Sequence, residues 1–176
     1  MIKTRAATIA LALGMFAATA AQAQGLAPDQ CATRAEVRGV VAVTTGPLLR
    51  SIAERCSTRY AAAAPTLTAA RASLQTRFAS EVEPGWDASR AKLKALFRVS
   101  DREAPAAERR LRDSLPMWIN AAVTGNTTEE GCCAADMIAA AVLPLPDRSV
   151  VDLMAAFVQA GMLDKKSPVR LCEARS

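Results

Sequence analysis

The chain has 176 residues, a formal net charge of +5, 51% apolar residues, five cysteines and no histidine. Without imidazole it cannot assemble a Ser-His-Asp or Cys-His nucleophile pair, a C-x-x-C-H haem site, or a zinc site that needs histidine. Its length and apolar content suit one hydrophobic core rather than a string of domains or a disordered chain.

The first stretch reads as a secretory signal peptide over 1–23. Lys3 and Arg5 form the positive start, Ala6 to Thr19 is apolar and uncharged, and Ala21-Gln22-Ala23 is a small-x-small cleavage site. Cleavage after Ala23 leaves 24–176 as a single all-α domain delivered to the periplasm or beyond. The first cysteine, Cys31, lies well past the cleavage point, so no lipid anchor is expected there. No later run reaches about 18 uninterrupted apolar residues, so an integral membrane protein is not expected. All five cysteines (Cys31, Cys56, Cys132, Cys133 and Cys172) follow the signal sequence, and an oxidising destination makes disulfides the default reading.

After a leader, Thr33-Arg-Ala-Glu36 has the capping-box pattern and opens a helix to about Val43. Thr44-Thr45-Gly46-Pro47 reads as a turn: Gly can take the helix-ending conformation, and Pro suits the first turn of the next helix. That second helix runs from Pro47 to about Ala61. The pair forms an antiparallel hairpin with Cys31 and Cys56 at one level, which predicts a Cys31–Cys56 disulfide. Pro65 opens a helix with a one-face stripe of Leu67, Ala70, Leu74, Phe78 and Val82, ended by Glu83-Pro84-Gly85. Asp87 caps the next helix, whose buried face is Leu93, Leu96 and Phe97. A further helix starts near Pro105 and keeps its spacing across Pro116 through Leu111, Leu115, Trp118, Ile119 and Ala122, ending at Gly125.

Gly131 to Leu163 is the most apolar part of the chain after the signal sequence. Two helical patterns are separated by Pro144 and Pro146. The first carries one charge, Asp136, and is apolar on nearly every side, the mark of a buried helix. The second repeats Val150, Leu153, Met154, Phe157 and Val158 at helical spacing, behind a candidate capping box at Ser149-Val-Val-Asp152. A capping Gly161 then ends the helix. The reading is a central helical hairpin inside a bundle of six or seven helices, stapled by disulfides. Ile138 and Phe157 are expected in the core, each costing about 2–5 kcal/mol on truncation to Ala. Cys172, in the tail, is expected to pair with Cys132 or Cys133, with Cys133–Cys172 the working assignment and the other thiol left odd.

Three constellations carry candidate function. Arg90, Lys94 and Arg98 fall on one helical stripe in a basic run, a candidate docking face for an acidic protein or an anionic surface, or simply a solvated face. Nucleic acid is not an expected partner, since export removes the protein from it and aromatics for base stacking are few. Asp136 is a weak candidate general acid, with Glu129-Glu130 as the only nearby acids; a hydrogen-bonded structural carboxylate is the alternative. Cys132-Cys133 at a helix start is either a reactive thiol site or one end of a staple. No metal site or cofactor is implied. The resulting expectation is an exported helical binding protein with a protein partner, in the manner of a chaperone, inhibitor or immunity protein. The alternatives are a carrier of a small apolar ligand and, last, a histidine-free carboxylate hydrolase acting on cell wall.

Overall fold

The computed structural model describes residues 31–96, 100, 102–163 and 171–172. The signal-peptide reading and Arg98 lie outside the described residues. Within them the fold is all-α, with six α-helices: α1 (Arg34–Arg59), α2 (Pro65–Ala70), α3 (Ala79–Leu96), α4 (Ala104–Asn126), α5 (Glu129–Val142) and α6 (Asp147–Met162). Two short 3₁₀ turns, Ala61–Ala63 and Ser73–Gln75, flank α2.

The central element is α1, and the expected turn at Thr44–Pro47 does not form. The capping box is present: the Thr33 hydroxyl accepts from the Glu36 N–H, and the Glu36 carboxylate accepts from the Thr33 N–H at 2.7 Å. From there the helix runs unbroken through 26 residues. The hydroxyls of Thr44 and Thr45 donate back to the carbonyls of Val40 and Val41, at 2.9 and 2.7 Å, so both residues stay helical. No described glycine takes a positive φ, so Gly46 does not end the helix. Pro47 removes one intrahelical bond, but Val43, Thr45, Gly46 and Pro47 are all buried, and packing on several sides outweighs local propensity. Helices α3, α4 and α6 all lie against α1.

The second expected break, at Glu83-Pro84-Gly85, is also absent. A Cβ placed on Gly39 would lie 2.7 Å from the Gly85 carbonyl oxygen, and one on Gly85 would lie 2.8 Å from the Ala42 Cβ. These two glycines are the contact where α1 and α3 cross, and Gly85 serves close approach rather than helix termination. One turn further on, the buried Ser89 hydroxyl donates to the Gly85 carbonyl at 2.7 Å. The chain breaks instead at Phe78, a buried residue with φ of +70°. Such a backbone costs about 1–3 kcal/mol and persists only where its surroundings fix it. Here Asp147 does so. One carboxylate oxygen accepts from the Phe78 N–H at 2.9 Å, and the other holds the Arg77 guanidinium at 2.6 Å. Arg77 also donates to the Leu143 and Leu145 carbonyls.

The disulfides are Cys56–Cys132 and Cys31–Cys172, with Cys133 free and exposed. This corrects the Cys31–Cys56 and Cys133–Cys172 pairings. Because α1 is continuous, Cys31 precedes one end and Cys56 sits in the last turn of a helix roughly 39 Å long, whereas a disulfide needs Cα atoms about 4.4–6.8 Å apart. Cys56 instead ties the end of α1 to the start of α5. Cys172 returns to the start of α1, where its N–H donates to the Ala32 carbonyl at 2.9 Å. On loop-closure entropy, cross-links of sequence separation 76 and 141 each stabilise by roughly 4–5 kcal/mol.

The 131–163 region is helix, loop, helix as expected, but it is not the buried centre, and the two helices do not pack closely on each other: α5 lies on α2 and the Ala61–Ala63 turn, and α6 lies on α1. Cys132, Asp136, Ala139 and Val142 of α5 face inward, as do Val150, Val151 and Ala155 of α6. Ile138 is 57% exposed and Phe157 61% exposed, so neither belongs to the core. An amino-acid pattern apolar on all sides describes a buried helix only when both faces find partners, and here one face does. The start of α6 is Asp147 rather than Ser149, so the second capping box is absent. Gly161 lies inside the helix, whose C-cap is Leu163. In α4, Pro116 is carried within a continuous helix, while Trp118 is half exposed.

Candidate docking surface

The residues that face outward on α5 and α6 are unusual in chemistry. On α5, Cys133, Met137, Ile138, Ala140 and Ala141 are exposed. Between Gly131 and Leu145 the only charged residue is Asp136, and it is buried. On α6, Leu153, Ala156, Phe157 and Ala160 are exposed at i, i+3, i+4, i+7 spacing, and no charged residue occurs from Leu153 to Leu163. Met137 is 71% exposed and Leu163 74%. Each helix therefore has two apolar faces, one in the core and one in water. Scattered exposed apolar residues are ordinary, but uncharged helix faces carrying Met, Ile and Phe are the composition of interaction surfaces.

Asp136 is accounted for structurally. Its Oδ1 accepts the Leu67 backbone N–H at 2.7 Å. Leu67 is in the first turn of α2, where N–H groups have no intrahelical partner. The α2 start has no side-chain cap of its own, since its N-cap is Ala64. Asp136 thus supplies from α5 the acceptor that α2 lacks, and its negative charge suits a helix N-terminus. Glu129 and Glu130 sit exposed in the first turn of α5 and do not share a site with it. Among the described residues no group of three or more His, Cys, Asp or Glu gathers at metal-binding distance.

The basic stripe divides. Arg90 is held by carboxylates: Asp87 at 3.0 Å on its own helix and Glu108 of α4 at 2.9 Å. Glu108 also takes Arg112 at 2.6 Å, and Arg112 reaches Glu83 at 2.5 Å, so a chain of ion pairs links α3 to α4. Hydrogen bonds from Arg90 and then Arg112 hold the Glu108 carboxyl below its ordinary value. The hydrogen bond from Arg112 does the same for Glu83. Arg90 therefore has two carboxylate partners while its side chain stays 47% exposed. The side chain of Lys94 and all of Arg98 lie outside the described residues.

A cleft of about 260 Å³ opens between α1, the Phe78 bend, α3 and α4. It is not purely apolar, because three guanidinium groups line it along with aliphatic and aromatic walls. No described helix is long and apolar enough to cross a membrane.

Composition alone places the apolar positions of α5 and α6 in the core, and the structure leaves Ile138 and Phe157 in water. The outward set is not separable by composition, because both faces of α5 are apolar and Asp136 marks the inward one only through its contact with the distant Leu67 N–H. Comparison with known proteins adds no assignment, as no family model, curated protein or solved structure matches the chain.

Proposed function

We propose that this is an exported helical binding protein that docks a protein partner through the outward apolar faces of α5 and α6. The observation that carries the reading is the exposure of Met137, Ile138 and Phe157 on helices with no exposed charge over those stretches. A second apolar helix or sheet face on the partner fits either of these faces, because neutral apolar area gains most by leaving water beside its like. The two disulfides suit an oxidising compartment such as the periplasm, consistent with the signal-peptide pattern of 1–23. Arg90 already has two carboxylate partners, and Asp136, the candidate general acid, accepts the Leu67 N–H, so neither supports a rival reading as strongly.

The test is affinity capture from periplasmic extract with the mature protein and with a Met137→Asp/Ile138→Asp/Phe157→Asp variant, each checked by thermal melting. The reading expects a defined partner captured by the parent and lost by a variant that melts normally. Unchanged capture, or a shift of the parent onto lipid vesicles or into dimers with no other protein bound, contradicts it.

A further inference from the structure

The cleft beside Pro47 is separate from the α5–α6 surface and has its own chemistry. Its walls are Pro47, Phe78, Val82, Trp86, Leu115 and Pro116, and no acidic residue lines it. Arg50, Arg77 and Arg112 reach it, but they are not equivalent. Arg77 is paired with Asp147 and donates to two carbonyls. Arg112 is paired with Glu83 and Glu108 and lies over the Trp86 ring, 4.9 Å from its centroid. Arg50 makes one hydrogen bond, to the Gln75 carbonyl at 3.2 Å, and has no carboxylate partner among the described residues. It is partly covered, and its one hydrogen bond lies at the solvent-exposed edge of the cleft. The Phe78 bend borders the same cleft, with its ring buried in the core and the Arg77 guanidinium 5.0 Å from the ring centre.

We propose that this cleft binds a small amphipathic carboxylate, with the carboxylate held by the Arg50 guanidinium and an aromatic or branched apolar body against Val82, Leu115 and Pro116. One unpaired guanidinium matches one carboxylate as a two-point fork. A phosphate dianion asks for more positive charge than is free here, since Arg77 and Arg112 are already neutralised. The volume lies just under the roughly 300 Å³ at which drug-sized pockets begin, so the ligand carries one ring or a short branched chain. This site is independent of the docking face, and neither stands or falls with the other.

The experiment uses a Trp118→Phe chain, which leaves Trp86 as the one tryptophan, and titrates phenylacetate, phenylacetamide and inorganic phosphate while following Trp86 fluorescence. Phenylacetate should give a saturable change, with the neutral amide binding at least about tenfold more weakly, as expected for loss of a charge-assisted hydrogen bond. Arg50→Gln should weaken phenylacetate by at least a similar factor with unchanged melting, and Arg50→Lys should recover part of it. Val82→Trp, which fills the cleft, should abolish the change, as monitored by calorimetry so that the new indole does not interfere. Equal affinity for acid and amide would overturn the proposal in favour of a purely apolar pocket. Equal displacement by phosphate would overturn it in favour of a bare anion contact. Unaltered binding in Arg50→Gln, or no saturation below about 10 mM, would also overturn it.

Discussion

The crossing of α1 and α3 and the α5–α6 pair are opposites in how they use apolar sequence. The crossing is built from Gly39, Ala42, Gly85, Ala88 and Ser89, residues with little side chain to bury. Yet α1 is buried around most of its N-terminal half, because small residues let two backbones approach until their atoms touch. The α5–α6 pair has the stronger apolar composition and leaves half of it in water. Closeness of approach, set by residue size, decides what becomes the centre; hydrophobic content decides only how much surface wants a partner. An apolar excess that the fold does not use is then available for another molecule.

The largest effect should come from the staple that fixes α5 to α1. Replacing Cys56 and Cys132 together by Ser should cost about 2–5 kcal/mol in urea unfolding, while Cys133→Ser should leave stability within about 0.5 kcal/mol. Peptide mapping without reductant should recover Cys56 linked to Cys132, and Cys133 should react with iodoacetamide in the native protein. Recovery of a Cys31–Cys56 peptide would restore the broken-helix arrangement and remove α1 as the centre.

The crossing itself is sharpened by two glycines. Gly39→Ala places a Cβ 2.7 Å from a backbone oxygen, so overpacking of about 1–3 kcal/mol should outweigh the better helix propensity of Ala. Gly125→Ala, on α4 with nothing within 4 Å, should be neutral or stabilise by up to about 1 kcal/mol. Similar melting shifts in both variants would mean that α1 and α3 are not in close contact.

Asp136→Ala should cost about 1–2 kcal/mol, the worth of a helix cap, by leaving the Leu67 N–H without an acceptor. Asp136→Asn keeps a carbonyl acceptor and should lose less. An equal loss in both would show that charge rather than the hydrogen bond matters there.

The smallest effect concerns pH. The folded-state carboxyls of Glu108 and Glu83 are held below their ordinary value of 4.5, so the unfolded chain binds their protons more readily. The stability they contribute is present above about pH 4.5 and is lost as pH falls through their lower folded values. Melting temperature should therefore drop on acidification below that point, and Glu108→Gln should reduce the slope. An unchanged slope would detach this ion-pair chain from stability.

Much of the fold was legible locally. The Thr33 capping box, the continuation of α4 across Pro116, and the Pro144–Pro146 break all follow from nearest-neighbour chemistry. What was missed depended on residues far apart in sequence. Gly46-Pro47 and Pro84-Gly85 carry turn signals in isolation, yet both lie inside helices whose packing comes from distant residues, such as Gly39 against Gly85. The break at Phe78 carries no local sign, since an aromatic residue at positive φ is held there by Asp147 from another helix. Cysteine pairing failed with the helix boundary on which it was based. The candidate surface was legible as composition but not as orientation, because inward and outward faces of α5 are both apolar.

The most direct test of the central claim is equilibrium urea unfolding of the Met137→Asp/Ile138→Asp/Phe157→Asp variant beside Leu67→Ala. Leu67 is fully buried, and its truncation should cost about 2–5 kcal/mol. If the outward faces of α5 and α6 are unused by the fold, the triple variant should stay within about 1 kcal/mol of the parent, since surface changes are each small. A loss comparable with that of Leu67→Ala would place these residues in the core and contradict the docking surface.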